Sequence, residues 1–238
     1  MDYRTLQKRL DKFLCDLNIG TRSQVKSFIQ KGMVTVNDVI VKKSECKVSE
    51  SDIICFQGQI LSSEEYSYYM LHKPAGIISA TEDSMHQTVL DYFKEEPCKN
   101  LYPVGRLDKD TEGLLLITND GELGHRLLSP RHHIPKTYYV ELHNSITQED
   151  IHLLESGIDI GEKRLTLPAK IQSISENILY ITITEGKYHQ IKRMFEAVNN
   201  KVIYLKRISM GELTLDETLE KGEYRRLTPD EISYLKSL

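Results

Sequence analysis

Tryptophan is absent from the 238-residue chain, and cysteine occurs only at Cys15, Cys46, Cys55 and Cys98. No two of these form a C-x-x-C pair and none keeps company with spaced histidines, which argues against a zinc site, a redox motif and a disulfide frame. The cysteines read as reduced. No apolar run approaches the ~20 residues a bilayer span needs, and the first ten residues lack the apolar stretch of a signal peptide. The expectation is a cytoplasmic protein with no membrane contact. Repeats and low-complexity tracts are missing too, and 39% hydrophobic residues with 13 Gly and 7 Pro exclude disorder, collagen and fibre. What remains is a globular chain too long for one small domain and comfortable for a small one followed by a larger one.

Charge is unevenly spread along the sequence. Residues 1–60 carry ten Lys/Arg against seven Asp/Glu, whereas residues 61–238 carry 21 against 28. A basic module feeding a more acidic one fits a binding domain attached to a catalytic domain, although scatter over two solvated surfaces gives the same count.

Within residues 1–60, Leu6, Leu10, Phe13, Leu14 and Leu17 recur at helical spacing, and Asn18-Ile19-Gly20 closes the run. Thr21 and Gln24 have capping-box spacing for a second helix with Val25, Phe28 and Ile29 as its apolar stripe. Gly32 stands where a left-handed residue ends such a helix. Two β-branched runs, 33–36 and 39–41, flank Asn37-Asp38 as a hairpin, and a strand at 53–56 follows Asp52. Through Arg9-Leu10-Asp11-Lys12, Thr21-Arg22-Ser23, Ile29-x-x-Gly32-x-Val34-x-Val36-Asn37 and Asp52-Ile53-Ile54, this unit resembles the alpha-L RNA-binding domain. The resemblance implies that Arg9, Arg22, Ser23, Lys26, Lys42 and Lys43 face RNA phosphates, where cations gain affinity by counterion release.

Residues 57–65 form a polar break, so a second domain is expected over 61–238. Strands are expected at 66–71, 114–117, 137–142, 178–184 and 202–208, and helices at 86–94, 147–155, 188–198 and 229–236. Strands outnumber helices and many are joined by short turns. The expected class is therefore α+β, with a mixed, mostly antiparallel sheet flanked by helices.

Chemistry concentrates in the seventeen residues Gly105 to Gly121, where four acidic residues, two basic residues and three glycines surround an apolar strand. A loop bearing Arg106 and Asp108 that leads into a buried strand sets a carboxylate beside a cation at the rim of a sheet. Two other readings compete for this stretch. Asp108, Asp110, Glu112 and Gly113 imitate a calcium-binding loop, but the twelfth position is Asn119 rather than a bidentate Glu. Asp108-x-Asp110-Thr111 also imitates the nucleophile loop of haloacid-dehalogenase-type, magnesium-dependent phosphatases, although Pro103, Gly105 and Arg106 break the strand that fold requires beforehand. His132, His133 and His189 lack ligand-spaced partners, so no metal is assigned.

The full segment resembles the signature of the RsuA-like family of ribosomal RNA pseudouridine synthases, whose members also carry an N-terminal alpha-L domain. The likeness extends to Lys73-Pro74-Ala75-Gly76, Leu128-Ser129-Pro130, Lys136-Thr137-Tyr138-Tyr139-Val140, the run from Glu185 to Met194, Lys206-Arg207-Ile208-x-Met210-Gly211 and Gly222-x-Tyr224-Arg225. Asn199 stands where Gly is expected, and both residues tolerate a left-handed cap. The resemblance implies an isomerase that turns a flipped-out uridine into pseudouridine without cofactor or metal. Asp108 would be its nucleophile or base, Tyr138 the face that holds the base, and Lys192 the cation beside Asp108. Arg106 and Arg193 would contact RNA or a substrate phosphate, while Asp110, Glu112 and Asp120 would serve as turn, cap or strand-end residues. The expected partner is small-subunit ribosomal RNA in an assembling particle, met by a monomer. Beside this reading stand the phosphatase and a non-catalytic ribosome-assembly protein, the latter expected to have lost Asp108 or Tyr138.

Overall fold

The computed structural model describes residues 8–17, 19–49, 52–61 and 66–238. The chain divides into two compact units, residues 1–65 and 66–238.

In the first unit, helices Leu10–Asp16 and Arg22–Gln30 pack on a four-stranded antiparallel sheet ordered Val39–Ile40, Val34–Val36, Ile54–Phe56, Gln59–Leu61. The second helix begins with the expected reciprocal cap between Thr21 and Gln24. It ends with Gly32 N–H bonded to the Ile29 carbonyl and Met33 N–H to the Phe28 carbonyl. Gly32 at φ +74° is the left-handed residue this ending requires. Asn37 and Asp38 take φ of +50° and +63°, the left-handed pair that suits a two-residue hairpin loop. Leu10, Leu14, Val25, Ile29, Val34, Val48 and Ile54 form the core. The polar break expected from residue 57 is in part structure: Gln57 and Gly58 make a second left-handed turn, and Gln59–Leu61 pairs with Ile54–Phe56. Leu61 thus belongs to the first unit's sheet rather than to the start of the second domain. Leu6, Asn18 and the end of the break lie outside the described residues.

The second unit is built on a sheet ordered Lys170–Ser173, Ile178–Ile183, Lys136–Leu142, Val202–Met210, Glu112–Thr118, Tyr68–Lys73, Tyr224–Arg226, with Leu213–Thr214 and Tyr102–Val104 paired at its sides. All neighbours are antiparallel except Val202–Met210 with Glu112–Thr118. At this joint Gly113, φ +104°, lies so close to its neighbour that an added Cβ would sit 2.2 Å from the Arg207 carbonyl oxygen. Only glycine fits there. Glu112–Thr118 is buried throughout. Leu115 and Ile117 enter a core completed by Leu154, Met194 and Phe195, while Leu114 and Leu116 enter another completed by Leu123, Leu127 and Leu235. Helices therefore cover both faces of the strand that leaves the Asp108 loop.

Helices Gln148–Ser156, Gln190–Ala197 and Pro229–Ser237 occur where periodicity placed them. The expected helix at 86–94 is instead a short 3₁₀ segment, Val89–Phe93, tighter than an α-helix and of a kind that rarely extends further. Helix Gly121–Leu128 was not anticipated. Asp120 caps it by accepting from Leu123 N–H at 3.0 Å. Among the described residues no helix is long and apolar enough to cross a membrane.

Candidate active site

Strand Tyr102–Val104 runs into Gly105, whose φ of +80° turns the chain into the Asp108 loop. The loop backbone is fastened from several directions. Ser79 Oγ accepts from Leu107 N–H at 3.0 Å and donates to the Leu107 carbonyl at 2.9 Å. Gly76 N–H donates to the Lys109 carbonyl at 2.7 Å. Lys73, fully buried, donates from Nζ to the carbonyls of Asp108 at 3.1 Å and Thr111 at 2.8 Å, and to those of Pro74 and Lys109. Burial pulls the Lys73 ammonium down to about 8, against the nearby charges of Asp110, Asp108 and Glu112. Four carbonyls gathered on one buried ammonium give the loop a fixed shape.

With its backbone held, Asp108 presents its carboxylate to a solvent-open cavity of about 90 Å³ whose lining includes Arg106, Thr111, Tyr138, His189 and Lys192. Lys192 Nζ lies 3.0 Å from Asp108 Oδ2 and 2.5 Å from Asp110 Oδ1. Burial alone would lower the Lys192 ammonium, but its bonds to Asp110 and Asp108 outweigh that and raise it above the ordinary lysine value. For Asp110 burial acts upward and the Lys192 contact prevails, leaving its pKa below the usual carboxylate range. The cation is thus fixed and charged beside Asp108 at any moderate pH. His189 faces the other oxygen, with Nε2 3.5 Å from Asp108 Oδ1.

Tyr138, 7% exposed, supplies a flat wall from strand Lys136–Leu142. The neighbouring Tyr139 projects from the opposite face and packs edge-on against Tyr180 and Tyr204. Apolar Leu107, Ile183, Ile191 and Leu205 also line the cavity. A fixed carboxylate with a paired ammonium, next to a buried aromatic face, is suited to nucleophilic or acid–base chemistry on a planar group packed against that face.

The RNA pseudouridylate synthase family profile matches residues 67–197, and the S4 domain profile matches residues 8–54. A crystal structure titled as that of a pseudouridylate synthase superposes with a TM-score of 0.70 at 42% identity, covering 95% of this chain and 99% of the other. The chain belongs to the RNA pseudouridylate synthase family. Similar relatives include an RNA pseudouridine synthase of Bacillus subtilis, YtzG, 46% identical, with 95% of this chain and 98% of the relative covered. Two proteins named ribosomal small subunit pseudouridine synthase A are also similar. The one from Vibrio cholerae is 46% identical over 94% of this chain and 98% of its own length. The one from Haemophilus influenzae is 43% identical over 95% and 99%. Membership removes the phosphatase alternative, and the α+β class with an N-terminal S4 domain stands.

Of the residues singled out in the sequence of this synthase, Asp108, Tyr138, Lys192 and Arg106 meet at one cavity. Arg106 is exposed and makes no ion pair among the described residues. Arg193 departs from expectation. Its guanidinium pairs with Glu162 at 2.9 Å and donates to the carbonyls of Tyr188 and Ile160, so both of its terminal nitrogens are engaged within the protein. Asp110 is more than a turn residue, since it shares Lys192 with Asp108. Glu112 and Asp120 are structural: Glu112 is tied to Tyr204 and Lys221, and Asp120 caps its helix and accepts from the Tyr68 hydroxyl. In the first unit Arg22, Ser23, Lys26, Lys42 and Lys43 are exposed and form no ion pair among the described residues, whereas Arg9 is held by both oxygens of Asp11. Lys73 and His189 were not assigned roles from sequence. The motif Lys73-Pro74-Ala75-Gly76 marked the place of the former, and the His189 contact arises only from tertiary folding.

Proposed function

We propose that this synthase isomerises one uridine of small-subunit ribosomal RNA to pseudouridine, as a cytoplasmic monomer acting on an assembling particle. The carrying observation is the Asp108 carboxylate, 3.0 Å from Lys192 Nζ in a cavity walled by Tyr138. The small-subunit choice draws on the names of the Vibrio cholerae and Haemophilus influenzae relatives, each aligned over nearly its full length.

The reaction breaks the bond between uracil N1 and ribose C1′, turns the base and forms a bond from C5 to C1′. The hydrogen on C5 leaves as a proton and N1 ends protonated, so atoms and electrons balance without an oxidant. The target nucleotide leaves its stack to enter, Tyr138 packs against the flipped base, and Arg106 at the rim meets a phosphate. Asp108, held against Lys192 at 3.0 Å, acts on the sugar or the base as nucleophile or base.

Because C5 loses its hydrogen, RNA transcribed with tritium at uridine C5 releases label to water on conversion. The purified protein should release tritium from small-subunit but not large-subunit ribosomal transcripts. Release from the large-subunit transcript alone would overturn the substrate assignment. Sedimentation should give one chain per particle.

A further inference from the structure

His189, which lines the cavity, carries the ring of Tyr188 just outside it, and the isomerisation as described uses neither ring. The Tyr188 ring lies flat on His189, with centroids 3.9 Å apart and planes 17° from parallel. Tyr188 is nonetheless 75% exposed, so one ring face is occupied and the other open to solvent. The pair is built into the site. His189 holds a left-handed backbone, φ +47° and ψ 36°, immediately before helix Gln190–Ala197, a conformation uncommon for a residue with a side chain and often found at functional sites. Arg193 Nη1 donates to the Tyr188 carbonyl at 3.0 Å, and Lys187 N–H donates to Gln190 Oε1 at 2.9 Å. The ledge is thus pinned on both sides. Its inner member reaches the reacting carboxylate, with His189 Nε2 3.5 Å from Asp108 Oδ1. A layered path runs from solvent through Tyr188 and His189 to Asp108.

A planar face held open to water beside a cavity for one base matches what a neighbouring base requires. Bases unstacked from their own helix are taken up on aromatic rings, and such stacking tolerates any base identity. The unpaired, exposed Arg106 at the same cavity supplies a cation for the backbone that links the two nucleotides. Resting on the reading of the cavity as a site for a flipped uridine of RNA, we propose that the open face of Tyr188 is the stacking platform for the base next to that uridine in the strand. His189 is the positioning residue beneath it.

The test first maps the uridine that the wild-type protein converts in unmodified small-subunit ribosomal RNA, then uses a synthetic fragment spanning it. Binding is measured for wild type, Tyr188→Ala and Tyr188→Phe on the intact fragment and on fragments with an abasic nucleotide on either side of the target. Tyr188→Ala should weaken binding to intact RNA about 5- to 150-fold, the range of one base stack, while Tyr188→Phe stays within about twofold. The loss should vanish on one of the two abasic fragments. Should Tyr188→Ala fold poorly, Tyr188→Leu keeps apolar bulk without a planar face and should show the same loss. Wild-type affinity for Tyr188→Ala, an equal loss on all fragments, or a Tyr188→Phe defect as large as that of Ala would each overturn the platform while conversion by the wild type stands. Failure of the wild type to convert any uridine would overturn the underlying reading, and the platform with it.

Discussion

On the proposed reading Asp108 serves the reaction through its carboxylate, and the residues around it divide the work of holding that group in place. Lys192 supplies the opposing charge, so Lys192→Met should slow the single-turnover rate at saturating RNA about tenfold or more, the scale of a charge-assisted hydrogen bond, with little change in affinity. A loss of affinity without loss of rate would put that lysine on the RNA surface. Tyr138→Phe should bind as wild type while Tyr138→Ala loses about 5- to 150-fold, because the ring acts through its face. Lys73 yields a prediction with a definite sign. Its folded pKa, lowered by burial to about 8, lies below the 10.5 of a free lysine, so folding releases a proton between those values and stability rises with pH across that window. The unfolding free energy of wild type relative to Lys73→Met, followed in urea, should therefore grow from pH 8 to pH 10; a shrinking gap would contradict a buried ammonium. Asp108, Tyr138 and Lys192 were legible because each sits in a dense local motif. His189 lies in the same run as Lys192, but no partner for it was visible in the sequence, and its approach to Asp108 is seen only in the fold. The contacts of Arg193 were likewise hidden: Glu162 and Ile160, which engage it, are far away in sequence.

Among the elements, the parallel joint between Glu112–Thr118 and Val202–Met210 matters most, since it fixes the strand into which the Asp108 loop feeds. Gly113→Ala should destabilise the fold by about 2–4 kcal/mol, because a Cβ would meet the Arg207 backbone and the residue would be held at positive φ. Urea unfolding measures it, and a change below about 0.5 kcal/mol would show that the strands part without cost. Capping residues and periodicity made the longer helices legible: Thr21 with Gln24 marked the start of one, and helical spacing placed Gln148–Ser156. Helix Gly121–Leu128 escaped notice because two glycines dilute its apolar stripe of Leu123 and Leu127, although Asp120 was there as its cap. Strand Gln59–Leu61 was hidden by its polar flanks, and only the left-handed Gln57-Gly58 turn makes it part of the first sheet.

At the level of the whole molecule, a chain with a net charge of −4 has to engage a polyanion, and the surplus of positive charge lies in the S4-like unit. Replacing Arg22, Lys26, Lys42 and Lys43 by alanine in the full-length protein should reduce the slope of log affinity against log salt by about 3–4, as four lost phosphate contacts require. An unchanged slope would move the electrostatic anchor elsewhere. The division into a small basic unit and a larger sheet unit was visible in charge and punctuation, while the border itself moved because pairing, not polarity, decides where a sheet ends. The claim on which the rest depends is that Asp108 in this chain forms pseudouridine in small-subunit ribosomal RNA. Its most direct test is a pseudouridine map of ribosomal RNA from cells lacking the protein, complemented with wild type or with Asp108→Asn at equal abundance. The account predicts one small-subunit site that is lost without the protein, restored by wild type and absent with Asp108→Asn. Restoration of that site by Asp108→Asn to more than about a tenth of the wild-type level, or a map with no small-subunit difference, would contradict it.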